Sequence, residues 1–99
     1  MEDLKELVKE YFAFRMYQTP NETEALLFLN SEVGELNDAM VASKTGGWVR
    51  NNPDKERELN REVGDVLMML LVLSNALGIN PEKCMKDKMQ SKGFQAWQK

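Results

Sequence analysis

The sequence predicts an all-α fold, a four-helix bundle-like subunit that oligomerises, and three observations predict it. Apolar residues recur at helical spacing through long segments of the chain. Between those segments stand Pro, Gly and Asn, which interrupt helices. No stretch alternates with the period of two that a half-buried strand requires. The 99 residues suit a single domain over 1–99, with no low-complexity segment and no solenoid period.

The first helix is expected over Glu2–Gln18, where Leu4, Leu7, Val8, Tyr11, Phe12 and Phe14 gather on one side. Pro20 ends it, because proline cannot continue the ladder and pushes the preceding residue toward extended geometry. The second helix starts near Asn21–Thr23 and runs to about Ser43. Asn21 or Thr23 can cap its free N–H groups, and Glu22 and Glu24 suit the positive end of the helix dipole. Its core stripe is expected to be Leu26, Leu29, Val33, Leu36 and Met40.

Residues 44–54, KTGGWVRNNPD, form the one substantial loop, with Asp54 expected to cap the next helix. That third helix is expected over Lys55–Leu77. Its second half, VLMMLLVL, is apolar on every side, which predicts burial on every side and a central place in the bundle. Gly78 closes it, Asn80 caps the fourth helix, and Pro81 opens that helix, which runs to about Gln90.

Hydrophobic residues make up 42% and charged residues 29% of the chain, ordinary globular values. The net charge of −3 argues against a nucleic acid polymer as partner, since a phosphate backbone wants a basic face. Lys83, Lys86, Lys88, Lys92 and Lys99 nevertheless crowd the C-terminal end and could make a local cationic patch. Cys84 is alone, so no intramolecular disulfide forms, which fits a cytoplasmic protein. The acidic, amphipathic start MEDLKELVKE does not read as a signal peptide. The apolar run Val66–Leu73 is eight residues, too short to span a membrane.

There is no histidine. That removes Ser-His-Asp and Cys-His nucleophilic triads, His-ligated zinc, and the Glu-x-x-His pairs of di-iron helix bundles. Chemistry falls to carboxylates, amines, hydroxyls or a bound ion.

The carboxylates are the distinctive feature. SEVGEL at 31–36 is echoed by REVGDV at 61–66. Helical residues three apart share a face, so Glu32 projects with Glu35 and Glu62 with Asp65. If the two helices pack antiparallel, the four acids converge. Converging carboxylates repel and desolvate one another unless they are protonated, paired with basic groups such as Arg61 or Lys55, or bound to a divalent cation. An all-oxygen set suits Mg²⁺, with Mn²⁺ as the alternative, rather than zinc or copper. Gly34 and Gly64 stand between the acids of each pair, each costing about 1 kcal/mol of helix stability relative to alanine. They are expected to let two helices, or a helix and a ligand, approach closely. A single E-x-x-E is ordinarily solvated surface, but two copies in apolar surroundings on adjacent helices predict a metal site of Glu32, Glu35, Glu62 and Asp65.

This pattern resembles that of the MazG-like all-α nucleoside triphosphate pyrophosphohydrolases, whose wider superfamily includes dimeric dUTPases and phosphoribosyl-ATP pyrophosphohydrolases. The resemblance spans about residues 20–92. The family pattern E-E-x-x-E followed by E-x-x-D is matched by Glu32, Glu35, Glu62 and Asp65, with Ser31 in place of the first glutamate. The family's G-I-D and K-M-x-K-N segments correspond to Gly78-Ile79-Asn80 and Lys88-Met89-Gln90-Ser91-Lys92, where Lys88 matches and Ser91 and Lys92 depart. The resemblance implies Mg²⁺-dependent hydrolysis of a nucleoside triphosphate to the monophosphate and pyrophosphate. It implies an attacking water held beside Glu32 or Glu35, and Lys88 as a clamp on the outer phosphates. Ser31 leaves the number of ions and the general base open.

Trp48 in the loop and Tyr17 near the end of the first helix could stack on a base, and Asn75 could read its edge. Two other readings stand beside this one: a non-catalytic helical interaction module whose acids form salt bridges, and a related pyrophosphohydrolase acting on a phosphoribosyl nucleotide. The apolar Val66–Leu73 segment exceeds what one subunit of this length can cover, so a homodimer or homotetramer is expected, with active sites near the interface.

Overall fold

The computed structural model describes residues 2–44 and 53–94, and all the regular structure in them is helical. Helix α1 spans Glu2–Phe14, α2 Glu22–Lys44, α3 Pro53–Leu77 and α4 Pro81–Ser91.

Helix α1 stops short of the expected Gln18, and the cause is local. Met16 adopts a left-handed backbone, φ 56°. The Tyr17 N–H donates to the Phe12 carbonyl at 3.0 Å and the Met16 N–H to the Ala13 carbonyl at 3.0 Å, the paired closure of a Schellman motif. Helix α3 ends the same way at Gly78, φ 68°, and α4 at Gly93, φ 92°. Pro20 therefore does not terminate α1. It is buried in the connection that follows.

The N-termini are capped by side chains. Asn21 Oδ1 accepts the Glu24 N–H at 2.8 Å while Glu24 Oε1 accepts the Asn21 N–H at 3.0 Å, a reciprocal capping box at α2. Asn80 Oδ1 accepts the Lys83 N–H at 3.1 Å, and Pro81 occupies the first position of α4, where its missing N–H costs nothing. Helix α3 begins one residue before Asp54, so that carboxylate lies in the first turn, paired with Arg57, and is not the cap.

Helices α2 and α3 make the main packed pair, and α1 lies against α3. The pair is antiparallel: Ala25 near the start of α2 packs with Leu71 and Val72 late in α3, while Glu32 and Glu35 meet Glu62 and Asp65 further back. Helix α4 turns off α3 at 93° and buries none of its residues. No single helix among the described residues is long and apolar enough to cross a membrane.

The core is small. Val8, Ala25, Met69, Leu71 and Val72 are buried, with Phe12, Leu29, Met68 and Leu73 packed against them. Two expectations change here. The apolar half of α3 is not enclosed, since Leu67 and Leu70 remain 39% and 40% exposed. Within the stripe expected on α2, Leu26, Val33 and Met40 are 48%, 46% and 40% exposed. The reason is the arrangement of neighbours: α3 meets α2 on one side and α1 on another, and no other helix among the described residues covers the rest.

Candidate functional site

The capping box at Asn21 fixes where α2 begins, and the antiparallel register with α3 brings its first acid pair opposite the second. Glu32, Glu35, Glu62 and Asp65 each offer a carboxylate oxygen, and these oxygens all lie within 4.8 Å of one another. Glu35 is exposed and the other three are half-buried. One oxygen of Glu32 and one of Glu62, Oε2 in each case, are buried without a hydrogen-bond partner.

The electrostatics follow from that crowding. Burial pushes the Glu32 carboxyl above its ordinary 4.5, and the hydrogen bond and charge of Glu35 and the charges of Asp65 and Glu62 push it further. Glu62 is raised by burial first, then by the charges of Glu35 and Asp65. Among the described residues no ion pair joins a lysine or arginine to any of the four; the pairs seen include Lys9–Glu6, Arg57–Asp54, Lys83–Asp87 and Lys86–Glu82. The pairing considered for Arg61 is not made, and the Lys55 side chain lies outside the described residues. Two orphaned buried oxygens in an all-oxygen set fit a hard divalent cation.

The glycines do not act as expected. A Cβ built on Gly34 or Gly64 would meet nothing within 4 Å. At about 100° per residue, Gly64 stands some 130° round α3 from the midpoint of Glu62 and Asp65. It lines an apolar groove of about 360 Å³ against Leu4, Leu7 and Tyr11 of α1. Neither glycine brings α2 and α3 closer together.

The structure brings two of the other candidates together. Tyr17 and Asn75 line one cavity of about 320 Å³ between α1 and α3, with Val8, Phe12 and Val72 as its apolar wall. Tyr17 packs edge-on against Phe12, ring centroids 5.8 Å apart, and the Arg15 guanidinium lies 5.2 Å over its ring and donates to its hydroxyl at 2.8 Å. Asn75 Nδ2 donates to the Lys5 carbonyl at 3.4 Å. Lys9 and Thr19 complete the rim, and neither carries a sequence signal that marks it. Asn75 follows Asp65 by ten residues, about 15 Å of helix, so the cavity is set apart from the acids. Lys88 projects from exposed α4, and Trp48 lies outside the described residues.

The model of the MazG nucleotide pyrophosphohydrolase domain matches residues 18–92. The chain belongs to the MazG family. The MazG domain takes in α2, α3, α4 and all four acids, while α1 and Tyr17 precede it. Nucleotide pyrophosphohydrolysis is the activity of the family, and its members generally depend on a divalent metal. No curated protein and no solved structure matches the chain.

Proposed function

We propose that this MazG protein is a Mg²⁺-dependent nucleoside triphosphate pyrophosphohydrolase, with the four converging acids as its ion site and a homo-oligomer as its working form. The observation that carries the reading is the approach of four carboxylate oxygens to within 4.8 Å, with no ion pair to a basic side chain among the described residues. That arrangement is costly in an ion-free protein and productive in one that binds a cation. Salt-bridged acids, as an interaction module would use them, are not what the described residues present.

Bound Mg²⁺ would offset the substrate's negative charge and lower the pKa of a coordinated water. Glu32, Glu62 and Asp65, half-buried on two packed helices, hold fixed positions for the ion. Glu35, exposed at the edge of the cluster, is the carboxylate best placed to accept a proton from an attacking water. Ser31, exposed on the same helix, supplies no carboxylate there. Water attacks the α-phosphorus, the bond to the bridging oxygen breaks, and pyrophosphate leaves with the electron pair. Lys88 serves the outer phosphates as a compact positive charge. The proposal does not extend to Tyr17 and Asn75, because 15 Å of helix is farther than a mononucleotide's base stands from its α-phosphate. The acid-rich surface and lone cysteine suit a cytoplasmic nucleotide pool.

The test is pyrophosphate release from a panel of NTPs and dNTPs, with Mg²⁺ and with EDTA. Release is expected with Mg²⁺ only. In Glu35→Gln it is expected to fall by more than about 100-fold, beyond what loss of even a metal's outer-shell partner costs. Release that survives EDTA or the substitution would overturn the assignment.

A further inference from the structure

We propose that Lys5 is a positioning residue: its ammonium clasps the corner between α3 and α4, and so sets the direction of α4 and the place of Lys88. The inference rests on the pyrophosphohydrolase reading above for what Lys88 does, and not for the clasp itself.

The corner is the first observation. Helix α3 ends at Leu77, and α4 begins at Pro81 and runs at 93° to it. Between them Gly78 and Ile79 turn the chain, and the Ile79 N–H donates to the Ser74 carbonyl at 3.0 Å. The carbonyl of Ile79 accepts from Lys5 Nζ at 2.9 Å, across 74 residues of sequence. A cation suits this place. The C-terminus of a helix carries partial negative charge and favours a basic group near its last turn. Helix α3 has no basic residue in its own last turn. Lys5 supplies one from α1, which precedes the residues that the MazG domain matches.

The second observation is how Lys5 is itself held. It is half-buried. Asn75 Nδ2, near the end of α3, donates to the Lys5 carbonyl at 3.4 Å. One turn further along α1, Val8 is buried in the core with Leu71 and Val72 of α3. The backbone of Lys5 is thus tied to the body of α3 while its side chain reaches the corner. A strut anchored at both ends resists a change of angle between α3 and α4.

The third is what α4 lacks. None of its residues is buried, and among the described residues it makes at most a marginal contact with the other helices. The pairs Lys83–Asp87 and Lys86–Glu82 lie within the helix and do not anchor it to another. Its direction is then set at the corner. Lys88 stands seven residues beyond Pro81, about 10 Å of helix, so a swing of about 10° shifts it by roughly 2 Å. An ammonium that meets phosphate oxygens at about 2.8 Å loses those bonds over such a distance.

Hydrogen exchange read by mass spectrometry on the whole chain tests this. Lys5→Met keeps the apolar stem and removes the donor and the charge, and Lys5→Arg keeps both. In Lys5→Met the amides of α4 are expected to exchange about three- to tenfold faster, as the loss of one exposed hydrogen bond predicts, while those of α2 are unchanged. Lys5→Arg should restore the wild-type rates. Asn75→Ala, which releases the Lys5 carbonyl, should speed the same amides, and the double variant should add little to Lys5→Met. Unchanged exchange in α4, or a rise spread evenly over α2, α3 and α4, overturns the clasp. In pyrophosphate release, Lys5→Met should raise KM for the triphosphate about three- to tenfold with kcat held within about twofold, and Lys5→Arg should return it. A faster α4 with an unchanged KM overturns the role in placing Lys88. A wild type that releases no pyrophosphate, yet shows the exchange pattern, strikes the reading of the reaction and leaves the clasp standing.

Discussion

Met16 shows how one residue sets a boundary. A non-glycine residue at φ 56° costs about 1–2 kcal/mol, and here it closes α1 and folds Tyr17 back onto Phe12. Met16 is itself 88% exposed, so its side chain gains little in return. Met16→Gly is expected to stabilise the protein by about 1 kcal/mol in urea unfolding; a loss of stability would mean that the side chain makes a contact in the assembly. The acids make a second prediction at this scale. Glu32 and Glu62 ionise near 4.5 in the unfolded chain and above it in the folded one. Between those values the native state holds more protons, so stability falls as pH rises through that window. The melting temperature without divalent ions should therefore drop as pH climbs from 4.5 toward neutrality. Saturating Mg²⁺ should remove the drop, and Glu32→Gln should reduce it. A flat profile without Mg²⁺ would contradict the crowding.

At the scale of elements, the helices owe their limits to caps and their positions to few contacts. The box between Asn21 and Glu24 sets the start of α2 and with it the height of Glu32 and Glu35 on that helix. Asn21→Ala is expected to cost about 1 kcal/mol in chemical unfolding. Because α2 carries half of the acids, the same substitution should also weaken the stabilisation that Mg²⁺ provides in thermal melts. An unchanged unfolding midpoint would mean that the cap is made by another group. Helix α4 has a good cap at Asn80 and a proline at its first position, yet packs on almost nothing among the described residues. Local signals are enough to form a helix but not to hold it in place.

The whole molecule is open where a folded chain is ordinarily closed. Among the described residues, twenty large apolar side chains are more than about a third exposed, against four that are buried, and the exposed ones include Leu67 and Leu70 in the most apolar part of α3. A subunit of this kind gains stability by association. The melting temperature is expected to rise with protein concentration, and sedimentation should show a dimer or larger at micromolar concentration. A midpoint independent of concentration, in a species that sediments as a monomer, would contradict this.

The sequence by itself determined four helices, nearly all of their limits, and the four acids. Each of these rests on local physics: helical periodicity, side-chain caps, glycine and proline at ends, and the three-residue spacing that puts Glu32 with Glu35 and Glu62 with Asp65 on shared faces. The early end of α1 was not legible, because methionine gives no sign that it will take a left-handed backbone. Only the tertiary structure decided what covers what. It left the apolar side of α3 open, left the glycines without a close neighbour, gathered Tyr17 and Asn75 at one cavity, and set α4 with Lys88 at 93° to α3. Periodicity tells which face of a helix is apolar. Whether that face meets a neighbour in the same subunit depends on interhelical angles such as the 93° turn after Leu77, and those are set by packing between residues far apart in the chain.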